Sequence, residues 1–278
     1  MPIRTFTFTD RNSKNTLLDF IARKLSLSKK KAKQLLDKRQ VFVNTKRVWI
    51  ASYQLQRGDI VEILTEEVPS LQLPHNFILF QNKHYVIVSK PPDILTNGPE
   101  SLEVILRERF HNKTIQAVHR LDKNTSGAVI FAMHKEAFER MKTLFKKNLV
   151  KKIYRVIVKG HVRKQVFTIG TPIHGQRAVT HVTLLKRGTT ASYLEADIET
   201  GRTHQIRIHL ASIGHPVIGE TEYDRRPVEN PLARQIGRHM LHAYQITFPH
   251  PYTHTTVSAT ADIPDDFSQG LRMLGLTE

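Results

Sequence analysis

His119, Arg120 and Asp122 fall within four positions of one another in "AVHRLDKNTSGAVIFA", Ala117 to Ala132, a stretch otherwise rich in small and apolar residues. Stability alone does not put them there, because charge between apolar flanks costs free energy unless each partner is satisfied. Ile115, Ala117 and Val118 before the motif, and Ala128, Val129, Ile130 and Phe131 after it, read as strand. Between them "HRLDKNTSG" reads as a tight loop. Its Thr125, Ser126 and Gly127 supply hydroxyls, backbone amides and conformational freedom. Asp122 is then mounted rigidly between two core strands, as a nucleophile or general base must be. The commoner fate of a loop aspartate is to form a turn or cap, and the motif by itself leaves both readings open.

A second tract, "ETGRTHQIRIHLASIGHP", places Arg202, His204, Arg207 and His209 beside Ile206, Ile208 and Leu210. On a helix, Thr203, Ile206 and Leu210 share a face with Arg207. An arginine turned toward a core needs an anion, and Asp122 is the candidate. A guanidinium fork grips a carboxylate well and favours its charged form. The histidines have poor ligand spacing: His204 and His209 are five apart, and His239 and His242 three apart without an evident third and fourth ligand. They are expected to be loop and helix-end residues, some touching phosphate, and no metal site is expected. Tyr154 alternates with Lys152 and Arg155 along the strand-like "KKIYRVIVKG". It is either half-buried packing or a platform for a nucleobase.

Several elements must carry these residues. The linker-like "EEVPSLQLPHN", residues 66–76, separates a module over residues 1–65 from a larger domain over 77–278. In the first module Asn15 or Thr16 caps a helix that buries Leu17, Leu18, Ile21 and Leu25. Ser28 caps a second, "KKKAKQLLDKR", with Ala32, Leu35 and Leu36 inside and Lys29, Lys30, Lys33 and Lys38 outside. "VFVN" reads as a strand, "TKR" as a turn and "RGDIVEIL" as a turn and an alternating strand. In the larger domain, "FILFQNKHYVIVSKPPDIL" reads as two apolar runs about a polar turn. Helices follow near 101–110 and at "HKEAFERMKTLFKKN", strands at "KKIYRVIVKG" and "SYLEADIETG", a helix at "HQIRIHLASIG" and a strand at "HAYQITFPH". Strands mostly follow strands, so the fold class is α+β with a mixed, largely antiparallel sheet.

Charge narrows the partners. The chain has 42 Lys plus Arg against 25 Asp plus Glu, a formal net charge of +17. Residues 1–65 hold 14 basic and 5 acidic residues, so about half of that charge lies in this module. A globular chain this basic meets a polyanion. No apolar run is long enough to span a bilayer and no signal or lipidation motif is evident, so nucleic acid is favoured over membrane and the cytoplasm is the expected location. There are no cysteines, which removes disulfides, thiolate nucleophiles and Cys-based zinc sites.

"HRLDKNTSGAVIFA", "ETGRTHQIRIHLASIGHPVIGE" and "RHMLHAYQITFPHP", in this order and spacing, resemble the RluA family of RNA pseudouridine synthases over about residues 76–265. Residues 12–65 resemble the S4 RNA-binding domain, which precedes the catalytic domain in members of that family. The resemblance implies isomerisation of uridine to pseudouridine: N1–C1′ breaks, the base turns, and C5 bonds to C1′, with no cofactor and no redox change. It implies Asp122 as the catalytic aspartate, Tyr154 against the extruded base, Arg207 paired with Asp122, and Leu241 packed at the site. Arg120 would enter the RNA where the uridine leaves the stack, with His119 and Arg202 beside the substrate and Lys29, Lys30 and Lys33 on phosphate. The partner is expected to be RNA, ribosomal with transfer RNA as the alternative, and the chain a monomer. After "GHPVIG" the family often has Asp and then Tyr-Gly; here Glu220, Tyr223 and Asp224 occupy that stretch, read as a peripheral loop difference. The competing readings are a non-catalytic RNA binder and an N-glycosidic hydrolase. Loss of Asp122, Tyr154 or Arg207 would favour the first, and release of free uracil the second.

Overall fold

The computed structural model describes residues 3–9, 16–25, 27–64, 76–224 and 236–277. The chain divides into two compact units, Met1–Pro74 and His75–Glu278. The segment 66–76, Asn76 apart, and the alternative cap Asn15 lie outside the described residues.

The first unit runs β1 (Ile3–Thr7), α1 (Leu17–Lys24), α2 (Lys29–Asp37), β2 (Val41–Val43), β3 (Lys46–Arg47) and β4 (Ile60–Leu64). Thr16 caps α1 by accepting from the Asp19 amide at 3.2 Å, and Ser28 caps α2 by accepting from the Lys31 amide at 3.3 Å. The helices cover an antiparallel sheet of order β1-β4-β2-β3. Leu17, Phe20 and Ile21 of α1 and Ala32 and Leu36 of α2 meet Val41, Val43, Val61 and Ile63 in one core. Leu18, Leu25 and Leu35 only flank it. Lys29, Lys30, Lys33 and Lys38 are exposed. The expected turn at "TKR" is shifted: Asn44 and Thr45, both at positive φ, make the turn, and Lys46–Arg47 is already strand. Two successive residues at positive φ match the twist of a tight hairpin. β1 carries no signal that the sequence reading used.

The second unit is built on a ten-stranded sheet. Its elements are β5 (Ile78–Gln81), β6 (Tyr85–Lys90), α3 (Leu102–Arg109), β7 (Gln116–Ala117), β8 (Ser126–Ala132), α4 (Lys135–Lys146), β9 (Lys151–Lys159), β10 (Val166–Ile169), β11 (Thr180–Arg187), β12 (Ala191–Ile198), α5 (Gln205–Ser212), β13 (Leu241–Pro249), β14 (Thr256–Thr260) and α6 (Asp265–Met273). The order is β10-β11-β12-β9-β13-β8-β6-β5, with β14 on β13 and β7 on β8. All seven residues of β8 are buried. One face of it, Ala128, Ile130 and Ala132, packs with Tyr85, Ile87, Ile246 and Phe248 beneath Ala137 and Met141 of α4.

Among the described strands one pair is parallel, β8 with β13, where His242 lies opposite Ser126 and Ala243 opposite Gly127. Parallel neighbours start at the same end of a sheet. The loop entering β8 and the segment entering β13 therefore emerge side by side. Antiparallel β9 places Tyr154 opposite Ala243, at that same end.

Candidate active site

The loop from Leu121 to Thr125, with Ser126 and Gly127, which were expected in the loop but open β8, is tied down at almost every residue. The Thr96 hydroxyl bonds both the amide and the carbonyl of Leu121 at 3.1 Å. The Thr125 amide donates to the Asp122 carbonyl at 3.0 Å, closing a turn. Lys90, fully buried at the end of β6, donates to the carbonyls of Pro91, Ile94 and Lys123 at 2.8 to 2.9 Å. Burial draws its ammonium down to about 7, while three carbonyls take its three protons. Arg238 donates to the Asn124 carbonyl at 3.1 Å and forks onto Asp266 of α6. His239 Nε2 meets the Thr125 hydroxyl at 2.8 Å, and His242 Nδ1 the Ser126 hydroxyl at 2.9 Å. Gly127 sits at φ +117, where a Cβ would lie 2.2 Å from the Ala243 carbonyl oxygen; only glycine lets β8 and β13 approach this closely.

Held this way, the Asp122 side chain is 29% exposed at a cleft of about 70 Å³ also lined by Arg120, Tyr154, Arg202, His204 and Leu241. A larger hollow, about 280 Å³ between Pro92–Asp93, residues 236–240 and α6, lacks a comparable set of reactive groups. Arg207 Nη1 donates to Asp122 Oδ2 at 3.3 Å, and His204 Nε2 is 3.5 Å from Oδ1. Tyr154 is buried, and burial followed by the Asp122 charge raises its hydroxyl well above the ordinary range, so it stays protonated at neutral pH. Arg120 is exposed at the rim. Arg202 is exposed too, with its Nε on the Arg177 carbonyl at 3.1 Å.

The stretch after "GHPVIG" is not peripheral, contrary to expectation. Glu220 is fully buried at its side chain and takes the Arg207 fork, Nε to Oε2 at 2.7 Å and Nη2 to Oε1 at 2.8 Å. Its Oε1 also accepts the backbone amides of Thr221, Glu222 and Tyr223. Burial opposes the charge, but the Arg207 fork and the amides of Glu222 and Tyr223 outweigh it and hold the carboxyl at about 2. On Arg207, burial is likewise overcome by Glu220 and then Asp122, so the guanidinium stays charged. Gly219 makes the turn possible: at φ +81 a Cβ would stand 2.0 Å from the Arg238 carbonyl oxygen. Asp224 pairs with Lys159 at 2.5 Å, and the Tyr223 hydroxyl lies 2.7 Å from His204 Nδ1. A buried partner thirteen residues from Arg207 leaves no periodic trace in the sequence.

Three other expectations need correction. His119 does not line the cleft. Its Nε2 accepts from the Ile130 amide at 3.2 Å and its ring lies against Phe145 of α4, with burial lowering its pKa to about 3. It bridges strand to helix, and the neighbouring Arg120 alone reaches the rim. Thr203 precedes α5 and is exposed, so it does not share the buried face of Arg207. His242 is not a loop or helix-end residue but is buried within β13, whereas His209 lies in the last turn of α5, buried on Thr180 Oγ1 and the Thr171 carbonyl. No group of three or more His, Cys, Asp or Glu able to hold a metal occurs among the described residues. His204, Glu220, Lys90 and Arg238 are the site residues the sequence reading did not assign.

Comparison with known proteins decides what this arrangement belongs to. The uncharacterized RNA pseudouridine synthase YhcT of Bacillus subtilis is 32% identical over 271 residues, covering 87% of each chain. The chain belongs to the RNA pseudouridine synthase family. The family description "RNA pseudouridylate synthase" matches residues 84–212, which contain Asp122, Tyr154 and Arg207, and the S4 domain matches residues 16–61. Ribosomal large subunit pseudouridine synthase C of Vibrio cholerae is 29% identical over 86% of each chain. The structure of human RNA pseudouridylate synthase domain containing 4 shares the fold, with a TM-score of 0.63 over 71% of this chain and 92% of that one at 23% identity. The protein is thus an isomerase acting on RNA, with an amino-terminal S4 domain.

Proposed function

We propose that this synthase modifies uridines of large-subunit ribosomal RNA, with Asp122 as the reacting carboxylate. Asp122 carries the reading, because it faces the cleft from a loop pinned at Lys123, Asn124 and Thr125. The isomerisation breaks N1–C1′ and makes C5–C1′; C5 loses a proton, N1 gains one, and no electrons are exchanged. The reacting carbon lies inside stacked RNA, so the nucleotide must be extruded at a cost of a few kcal/mol. Arg120 on the rim fills the gap left in the stack, Tyr154 and Leu241 pack against the extruded base, and Arg202 meets a flanking phosphate. Asp122 then attacks C1′ or the base, or takes a proton from C2′. Each route needs a carboxylate of fixed direction, which the Arg207 contact and the pinned loop supply.

The ribosomal target is supported by relatives named as large ribosomal subunit synthases: that of Vibrio cholerae, and synthase D of Neisseria meningitidis, 38% identical over 57% of this chain. Mapping pseudouridine in cellular RNA with and without the gene tests it. Sites lost from large-subunit ribosomal RNA are the expected result, and sites lost only from transfer RNA would overturn the target.

The amino-terminal unit supplies affinity. Lys29, Lys30 and Lys33 project from α2, with Lys29 lightly held by Asp19 at 2.8 Å. Each phosphate contact releases condensed counterions, so binding weakens steeply with salt. Replacing the three lysines with Gln should reduce the log–log salt slope by about 0.7 for each lysine that meets a phosphate, without altering which uridines are modified. An unchanged slope would make the lysines an ordinary solvated face.

A further inference from the structure

The only tryptophan of the chain, Trp49, is outside every core. It follows β3 in the amino-terminal unit with 51% of its surface exposed, next to Ile50 at 55%. The Tyr53 amide donates to the Ile50 carbonyl at 3.1 Å, so a tight turn keeps a third exposed apolar side chain close by. The unit has a core for aromatic rings, in which Phe8 and Phe20 pack edge to face at 5.5 Å. An indole left in solvent there does not serve folding.

What surrounds the indole specifies its occupant. The Arg39 guanidinium lies over the Trp49 ring at 5.1 Å, and Arg47 lies over Phe42 at 5.0 Å on the same hairpin. Residues 38–58 contain Lys38, Arg39, Lys46, Arg47 and Arg57, and the carboxylates of the adjoining segment are placed elsewhere on the hairpin, Asp59 on the Asn44 side-chain amide and Glu62 opposite Phe42. An exposed indole with a guanidinium over it fits a ligand that is itself flat and apolar between anions. An unpaired nucleotide has that form: its base stacks on the ring and its phosphates meet the cations. A duplex offers the phosphates but keeps its base faces covered.

We propose that Trp49, with Arg39 and Ile50, forms a stacking platform for an unpaired nucleotide of the RNA substrate, in the unit that does not hold Asp122. The proposal rests on RNA being the substrate and adds a requirement for single-stranded RNA next to the docking site.

Because Trp49 is the sole tryptophan, indole emission from the intact protein reports this residue alone. The probes are a single-stranded oligouridylate and a fully paired RNA duplex with the same number of phosphates. Emission should be quenched on titration with the single strand and much less with the duplex. Trp49→Ala should weaken single-strand affinity on the order of tenfold, and Trp49→Phe should restore most of it. Quenching that is absent or equal for both probes would overturn the platform, as would Trp49→Phe binding as poorly as Trp49→Ala. So would an indole that acrylamide cannot reach in the free protein, which would mean that another part of the chain covers it. Wild-type protein that forms pseudouridine without such quenching would overturn the platform alone. Protein that forms no pseudouridine in any RNA would instead count against the functional reading.

Discussion

Asp122→Asn should cut isomerisation by at least about 10³-fold while RNA binding stays close to wild type. The substitution keeps the shape of the side chain and one accepting oxygen, and it leaves untouched the turn that the Thr125 amide closes on the main-chain carbonyl of residue 122. The Arg207 fork survives too, because it is seated on Glu220 and reaches Asp122 only at 3.3 Å. What is lost is the charge and nucleophilicity of the one carboxylate among the described residues that lines the cleft. Single-turnover assays on a modified RNA, beside an affinity measurement on the same RNA, separate the two effects. Asn protein with more than a trace of turnover would remove Asp122 from the chemistry. Equal loss of binding and turnover would make it a docking residue.

Much of this site is legible in the amino-acid sequence. A carboxylate in an apolar tract is conspicuous because burying it has a cost, and an arginine in an apolar helical tract demands an anion. That logic points to Asp122 and Arg207, and the fold brings them together. It could not rank the anions around Arg207. Glu220 is the closer partner and Glu222 touches Nη2 at 3.2 Å, but both lie in a loop with no periodicity to mark them. The clamps on the catalytic loop were hidden for a related reason. Lys90 reaches a carbonyl 33 residues away and Arg238 one 114 residues away, and main-chain acceptors have no side-chain identity to read. Among the strands, β8 is plain from Ala128 onward, where both its faces are covered and every residue is apolar, while its first two residues, Ser126 and Gly127, read as loop. β10 is a short edge strand with one buried residue of four, and β11 ends in three exposed ones, so neither stands out. His119 misled for the opposite reason. Its neighbours in the motif are functional, while its own ring satisfies a strand amide.

Arg207→Met should be the most damaging substitution for stability, at about 3–5 kcal/mol, because it strands the Glu220 carboxylate in the interior without its counter-charge. Glu220→Gln should cost less, since Gln still accepts from Arg207, and Arg207 keeps Asp122 and Glu222. Arg207→Lys should not rescue the fork, because one ammonium cannot span both oxygens of Glu220 and still reach Asp122. Both Arg207 variants should also lose turnover by on the order of a hundredfold, through a carboxylate no longer aimed. The pair carries a pH signature of known sign. The Glu220 carboxyl sits at about 2 in the fold against 4.5 ordinarily, so its contribution is fully present above about pH 4.5 and is lost as pH falls toward 2. Denaturant unfolding of wild type and Glu220→Gln across that range should show two stability curves that are separated at neutral pH and converge in acid. Curves that stay parallel down to pH 2 would mean that Glu220 is not the charge holding Arg207. An Arg207→Met protein as stable as wild type would mean that the buried pair does not brace the site.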